Sequence, residues 1–319
     1  MGHYKIIKFN FPDMLALLTE SILFIKSILY HIIAYLFKVP ISKNYLIIGA
    51  SSGIGKQICI EIAKKQLNNR LVIASRKKNE LLVLKTVLLS INKALTVDVV
   101  QFDLTDLDSS NDLISTCFTN NSIDTIDTIV VNAGVFDLHH LKDTNYFQKS
   151  LHMFMTNTYG PVAIISNYLN NSSIKQCNRP YIVVVSSIAA QYPFYNSVSY
   201  STSKIVVEDY IKEIAPAYPH VDFSIIRPGY VYTKLTEWTK SIPFGIEANQ
   251  AARDILLSMK IRKSFSIIPF FPWCIAMPLV RFIPTFLMNF VIKQEFELNL
   301  KNNEDGIASL RKHVYNKAI

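Results

Sequence analysis

The chain has 319 residues, half of them apolar and only 18% charged, which excludes a disordered polymer and provides for a large buried core. Its net charge of +9 comes from scattered lysines and arginines without zinc-finger spacing, so nucleic acid is not an expected partner. A solvated face or an anionic membrane surface is expected instead. The four cysteines (Cys59, Cys117, Cys177 and Cys274) stand at no metal-ligand spacing, and no metal site is expected.

The first element is apolar. Met14 to Phe37 spans 24 residues, about 36 Å as a helix, enough to cross a hydrocarbon core of about 30 Å. Glu20 and Lys26 interrupt it. Each would cost about 2.5–3.5 kcal/mol at the bilayer centre and less near an interface. A spanning anchor within residues 1–40 is the expectation. A helix lying in the interface plane and a helix packed on the domain are the alternatives. Lysines flank both ends, so orientation is open.

From residue 41 onward, strands alternate with helices. Tyr45–Ile48 reads as a strand, Gly53–Lys65 as a helix, Leu71–Ala74 as a strand and Glu80–Leu89 as a helix. Val97–Phe102, Ile129–Val131, Ile182–Val185 and Phe223–Ile226 are further strands. Between them lie helices over Asp112–Phe118, Tyr146–Leu169 and Ser201–Ala215, followed by Glu247–Met259 and a seventh strand at Phe265–Ile268. Apolar strands alternating with helices predict a doubly wound α/β domain, residues 41–269, with a parallel Rossmann-type sheet of about seven strands. A second apolar stretch, Phe265–Ile292, is broken by Pro269, Pro272, Pro278 and Pro284. Short helices are expected there, as a lid, a membrane contact (residues 270–295) or ordinary core, before a polar tail from 296 to 319.

The first strand runs into Gly49-Ala50-Ser51-Ser52-Gly53-Ile54-Gly55. Glycine permits a sharp turn and a close phosphate approach, and the following helix offers free N–H groups and a positive dipole end. Ser51 and Ser52 can add hydroxyl donors. The second strand ends at Ser75-Arg76, with no acid before Glu80. An acid there would hold the ribose diol of NAD, whereas Arg76 suits a 2′-phosphate, so NADP(H) is favoured and NAD(H) is the alternative. Asp103 ends the third strand, where it can accept from an adenine amino group. Asn132-Ala133-Gly134 ends the fourth and leaves space beside a cofactor.

Carbonyl reduction needs a proton donor, and a free tyrosine releases its proton too rarely near neutrality. Tyr200 and Lys204 stand four residues apart on one helix face, where an ammonium can lower the phenol's pKa. Ser187, thirteen residues before Tyr200, ends the fifth strand within reach of the same substrate oxygen. Asn157 in the long helix can hold a water linking Lys204 to solvent.

These motifs, with Pro228-Gly229 and Thr233, resemble the short-chain dehydrogenase/reductase family from about Leu46 to Pro269. The resemblance implies that Tyr200 is the acid/base and that Lys204 also binds the nicotinamide ribose. It implies that Ser187 polarises the substrate carbonyl and Asn157 completes a proton relay. It further implies that Thr233 binds the nicotinamide carboxamide and Ile54 packs near the cofactor. Ile48 replaces the family's threonine before the first glycine, and Val131 its first asparagine before Asn132. A hydrogen bond between these strands is expected to give way to packing.

The apolar ends resemble membrane-anchored members acting on steroids, retinoids or other lipids. Dehydrogenase/reductase family member 7 is the nearest subgroup and the ketosphinganine reductases are second. The expected substrate is a hydrophobic small molecule and the expected location a membrane, the endoplasmic reticulum first. A homodimer is left open. A catalytically idle cofactor sensor or scaffold on the same fold, and a sugar-nucleotide epimerase, are the competing readings.

Overall fold

The computed structural model describes residues 43–280 except 66–68, 107, 110–112, 116, 118–124, 138–143, 172–173, 175–176, 178, 192–196 and 238–243, together with positions 287, 290 and 294. The expected anchor (1–40), the polar tail, Trp238 and parts of the expected helix Asp112–Phe118 and of the stretch beyond Val280 lie outside the described residues.

Seven parallel strands form one sheet in the order β3-β2-β1-β4-β5-β6-β9. They are β1 (Asn44–Ile48), β2 (Arg70–Ser75), β3 (Thr96–Gln101), β4 (Thr128–Val131), β5 (Tyr181–Val185), β6 (Asp222–Pro228) and β9 (Phe265–Ile268). The central strands carry apolar side chains on both faces because helices cover both. Leu46 and Ile48 of β1 share one cluster with Ile164, Ile165, Val207 and Ile211. Ile47, between them, joins the other cluster with Ile58, Ile62, Leu84 and Ile255. The two-residue period of the strand thus splits the core into two layers.

Helix α1 (Gly53–Ala63), α2 (Lys78–Ile91) and α6 (Ala248–Lys260) serve one layer. Helix α4 (Gly160–Asn170) and α5 (Val198–Ile214) serve the other. Strand order reverses between β1 and β4, and at such a switch point the loops diverge and leave a crevice for a ligand.

Two features depart from the expectations, and a third, after β9, follows them. The long helix Tyr146–Leu169 is not continuously α-helical: α3 (Tyr146–Phe154) and α4 are joined by a π turn at Met155–Tyr159. A short ribbon, β7 (Val231–Tyr232) on β8 (Ile246–Glu247), brackets the segment between β6 and α6. It is too brief to leave a periodic signal. The apolar stretch after β9 forms α7 (Phe270–Val280), broken at Phe271 just before Pro272. Trp273 and Met277 of α7 pack with Ile188, so this part of the stretch joins the domain.

Candidate active site

The C-terminal ends of β1, β2, β4, β5 and β6 surround a cleft of about 660 Å³, within the range of small-molecule sites. At its base the chain leaves β1 through Gly49, whose φ is +83°. A Cβ there would lie 2.6 Å from the Ala133 Cα, so both conformation and space demand glycine. Ser52 is the N-cap of α1, but its hydroxyl makes no capping bond, and no acid stands in the first turn. The helix therefore meets the cleft with a positive end that its own side chains leave uncovered.

Gly49, Ser51, Ser52, Gly53 and Ile54 line the cleft. Gly55, expected among the cofactor contacts, does not: a Cβ there would strike the Gly49 carbonyl, so this glycine serves packing of the helix under the turn. Asn132 lines the cleft, yet its Nδ2 donates to the Gly49 carbonyl at 3.2 Å and ties the β1 and β4 turns together. Ile48 and Val131 are register partners and both are buried in one cluster, so packing joins these strand ends as expected.

Arg76 and Asp103 line a further part of the cleft, beside Ser75, Lys77 and His152. Arg76 stands 3.8 Å from Asp103, a loose and exposed pair. The second Asp103 oxygen accepts from the Thr105 N–H and hydroxyl, both at 2.9 Å, and this fixes the loop. The carboxylate expected to receive an adenine amino group is thus already half engaged. Burial pushes the His152 imidazole below its usual pKa, the Arg76 charge adds to this, and Asp103 opposes it.

Ser187, Tyr200 and Lys204 converge on another wall. Ser187 follows β5 by two residues as the N-cap of a 3-10 turn, where its Oγ accepts the Ala189 N–H at 3.1 Å. Lys204 is buried and donates to the Val185 carbonyl at 3.1 Å. Burial pushes its ammonium down to about 8, and Glu208 opposes the shift. Phe136 packs edge-on against the Tyr200 ring at 4.9 Å.

Burial raises the Tyr200 phenol and a Ser187 hydrogen bond opposes the rise. The Lys204 ammonium lies 6.0 Å from the Tyr200 ring centroid.

Asn157 lies in the π turn and is almost fully buried. Its Oδ1 accepts the Val135 N–H at 2.8 Å, and its Nδ2 donates to the Val135 carbonyl at 2.9 Å and the Ser203 hydroxyl at 3.1 Å. The Asn157 side chain thus ties the loop after β4 to the Tyr200 helix. Gly134 lies against both groups: a Cβ there would sit 3.1 Å from Lys204 Nζ and 3.3 Å from Asn157 Oδ1. Ala133 and Gly134 line the cleft, as expected.

Pro228, Gly229 and Thr233 line the cleft after β6. Thr233 reaches across to the glycine turn, its Cγ2 lying 3.4 Å from where a Gly53 Cβ would stand. Behind Gly229, Trp273 packs with Tyr230 and Phe244, ring centroids 6.0 Å away in each case.

Sequence reasoning missed Phe136, His152 and Ser186. Phe136, two residues past Gly134, could have been suspected from position; the others follow no motif. Ser186 Oγ and Trp273 Nε1 are buried without a hydrogen-bond partner among the described residues. Both line or adjoin the cleft, and a buried polar atom in that condition is what a ligand would satisfy.

Comparison with known proteins agrees. The family model described as short chain dehydrogenase matches residues 43–241. A Dehydrogenase/reductase SDR family protein 7-like protein of Dictyostelium discoideum is 24% identical over 81% of this chain and 87% of its own length. An 11-beta-hydroxysteroid dehydrogenase-like 2 of Arabidopsis thaliana is 26% identical over 63% of each chain. Retinol dehydrogenase 8 of Bos taurus is 28% identical over 60% of each. Among solved structures, a short-chain dehydrogenase from Sphingobium yanoikuyae in complex with NADPH superposes with a TM-score of 0.63 at 20% identity, covering 74% of this chain and 91% of that one. The bulky-bulky ketone specific alcohol dehydrogenase from Comamonas testosteroni gives 0.63 at 21% identity, covering 75% and 91%. The glycine turn at the switch point, the Ser187, Tyr200 and Lys204 wall and the family match lead to one conclusion: the chain belongs to the short-chain dehydrogenase/reductase family and is one of its NAD(P)-dependent enzymes.

Proposed function

We propose that this enzyme interconverts a hydrophobic carbonyl compound and its alcohol, prefers NADP(H) to NAD(H), and works at a membrane, with the endoplasmic reticulum the first compartment to test. The observation that carries the chemistry is the convergence of Ser187, Tyr200 and Lys204 on one wall of a cleft that also contains the glycine turn.

The residues fit a dinucleotide. The Gly49 position has no room for a side chain, Ser52 leaves the start of α1 uncapped, and Ser186 offers an unpaired buried hydroxyl. Bound there, the cofactor supplies or accepts the hydride. The turn at Gly49–Ile54 would take its pyrophosphate, Arg76 its 2′-phosphate and Thr233 its carboxamide end. Arg76 favours NADP(H) because its guanidinium has only a loose partner and no acid stands between Ser75 and Glu80.

In the reducing direction Tyr200 donates its proton to the substrate oxygen while Ser187 hydrogen-bonds the same atom. Lys204 stabilises the phenolate as it forms. The charge builds in a buried wall, where an ammonium acts more strongly than it would in water.

A hydrophobic substrate is supported by the Tyr230, Phe244 and Trp273 cluster behind Gly229, and by the steroid and retinol dehydrogenases among the relatives. Membrane association is supported by the apolar segment Met14–Phe37 and by the exposed Phe270 and Ile275 of α7. Among the described residues no helix is long and apolar enough to span a bilayer.

The test is an assay of the full-length chain with NADPH and NADH against sterol, retinoid and other lipid ketones and alcohols. Turnover with a lipid carbonyl, faster with NADPH, is expected. Cofactor binding with no turnover across the panel would move the reading to the idle cofactor sensor. Co-sedimentation with vesicles of neutral and anionic lipid, compared with a chain lacking residues 1–40, tests the membrane part.

A further inference from the structure

One turn beyond Lys204, on the same helix, stands a carboxylate that no motif accounts for. Glu208 is 1% exposed, deep in the layer between α5 and β6. Arg227 of β6 meets it with two parallel bonds, Nε to Oε1 at 2.8 Å and Nη2 to Oε2 at 2.6 Å. The remaining Arg227 arm donates from Nη1 to Gln191 Oε1 at 2.8 Å, and Gln191 Nε2 donates to the Met277 carbonyl of α7 at 2.9 Å. The guanidinium also lies over the Phe265 ring at 4.8 Å.

A buried ion pair adds little stability over well-packed apolar residues, because both charges must leave water. Its position suggests another use. Lys204 is buried as well, with Val185 O as its hydrogen-bond acceptor, and a buried ammonium without a counter-charge is expensive. Among the described residues Tyr200 is the other ionisable group beside it, its ring centroid 6.0 Å away. Asn157 and Ser203 are polar but uncharged, His152 and Asp103 line the cleft farther on, and Lys149 pairs with Asp137 at 3.9 Å. Glu208 is therefore the acid placed to serve Lys204. Lys212, 3.8 Å from Glu208 and half exposed, touches it only from the solvent side.

We infer that Glu208 is the positioning counter-charge of Lys204, and that Arg227 and Gln191 hold it in register with α7. The inference rests on the proposed roles of Tyr200 and Lys204. Substrate-side changes in α7 would then reach Lys204 through Met277, Gln191, Arg227 and Glu208, a path of direct hydrogen bonds and one helical turn.

Glu208→Gln keeps the shape and removes the charge. The Arg227→Met/Glu208→Gln pair removes both charges and leaves no buried guanidinium unpaired. The experiment follows kcat/KM for carbonyl reduction against pH in the full-length enzyme, with circular dichroism and NADPH affinity measured alongside. In Glu208→Gln the alkaline limb should move to lower pH by roughly one unit, with NADPH affinity retained. In the double variant the lost Arg227 charge offsets part of this, so the limb should move the same way but less. Arg227→Lys, which keeps both charges and loses the fork, should move it least. An unshifted alkaline limb in folded Glu208→Gln overturns the inference. If Glu208→Gln does not fold, an unshifted limb in the double variant overturns it; if neither folds, the pair is structural and the inference is overturned. Tyr200→Phe separates the two readings: if it stays active, the proposed chemistry fails, whereas an inactive Tyr200→Phe with an unmoved limb in Glu208→Gln sinks only the role of Glu208.

Discussion

Asn157 holds both main-chain polar groups of Val135 with one side chain, accepting the N–H at 2.8 Å and donating to the carbonyl at 2.9 Å. This pair of hydrogen bonds pins the loop after β4 against the π turn, and the Ser203 contact extends it to the helix that carries Tyr200 and Lys204. Replacing Asn157 by Ala removes the partner of both Val135 groups at a half-buried place beside the cleft. A loss of roughly 1–3 kcal/mol is expected from the two lost hydrogen bonds. Denaturant unfolding should report it, with a fall in kcat larger than any change in cofactor affinity.

Tyr200→Phe keeps the ring packed on Phe136 and removes only the proton. Turnover should fall by roughly 10²–10⁴-fold or more, with NADPH binding within a few-fold of the parent. Stopped-flow reduction and fluorescence titration of NADPH check the two halves.

Gly134→Ala would push a methyl group to within 3.1 Å of Lys204 Nζ and 3.3 Å of Asn157 Oδ1. One of those two groups must shift. Kcat should drop by roughly tenfold or more in a folded enzyme, the scale expected when a reacting group is displaced by a fraction of an ångström. An unchanged kcat would show that the Lys204 position is not critical.

Arg76→Ala should reduce the preference for NADPH over NADH by roughly 10–100-fold, the range of one charge-assisted hydrogen bond to a phosphate. The ratio of kcat/KM values for the two cofactors is the measurement. A preserved ratio would shift the 2′-phosphate contact to Lys77, which lines the same part of the cleft.

The pH dependence follows from Lys204. Its ammonium is held down to about 8 by burial. Reduction requires that charge, so kcat/KM should fall as pH rises through this region. The linkage to stability has the opposite sense. The folded value lies below the ordinary lysine value of 10.5, so the unfolded chain binds more protons between them and this site's contribution to stability rises with pH over that window. It is complete above the unfolded value and lost as pH falls through the folded one. Lys204→Met should flatten the stability profile there.

Much of this was legible in the residues alone. Seven apolar strands alternating with helices specify a parallel sheet, because only burial on both faces explains runs such as Leu46–Ile48 and Tyr181–Val185. Gly49 announces its turn because no other residue takes that conformation beside Ala133. The spacing of Ser187, Tyr200 and Lys204 is local, since helix and strand geometry carry it. What tertiary structure alone decided is how polar groups share partners across elements distant in sequence. Asn157 ties the loop after β4 to the Tyr200 helix because Val135 and Ser203 reach its side chain. Gly55 moved behind the turn, Arg76 came to lean on Asp103, and Glu208 found Arg227 nineteen residues on. A hydrogen bond between elements depends on the packing of whole layers, and no period in the sequence records which donor arrives at which acceptor.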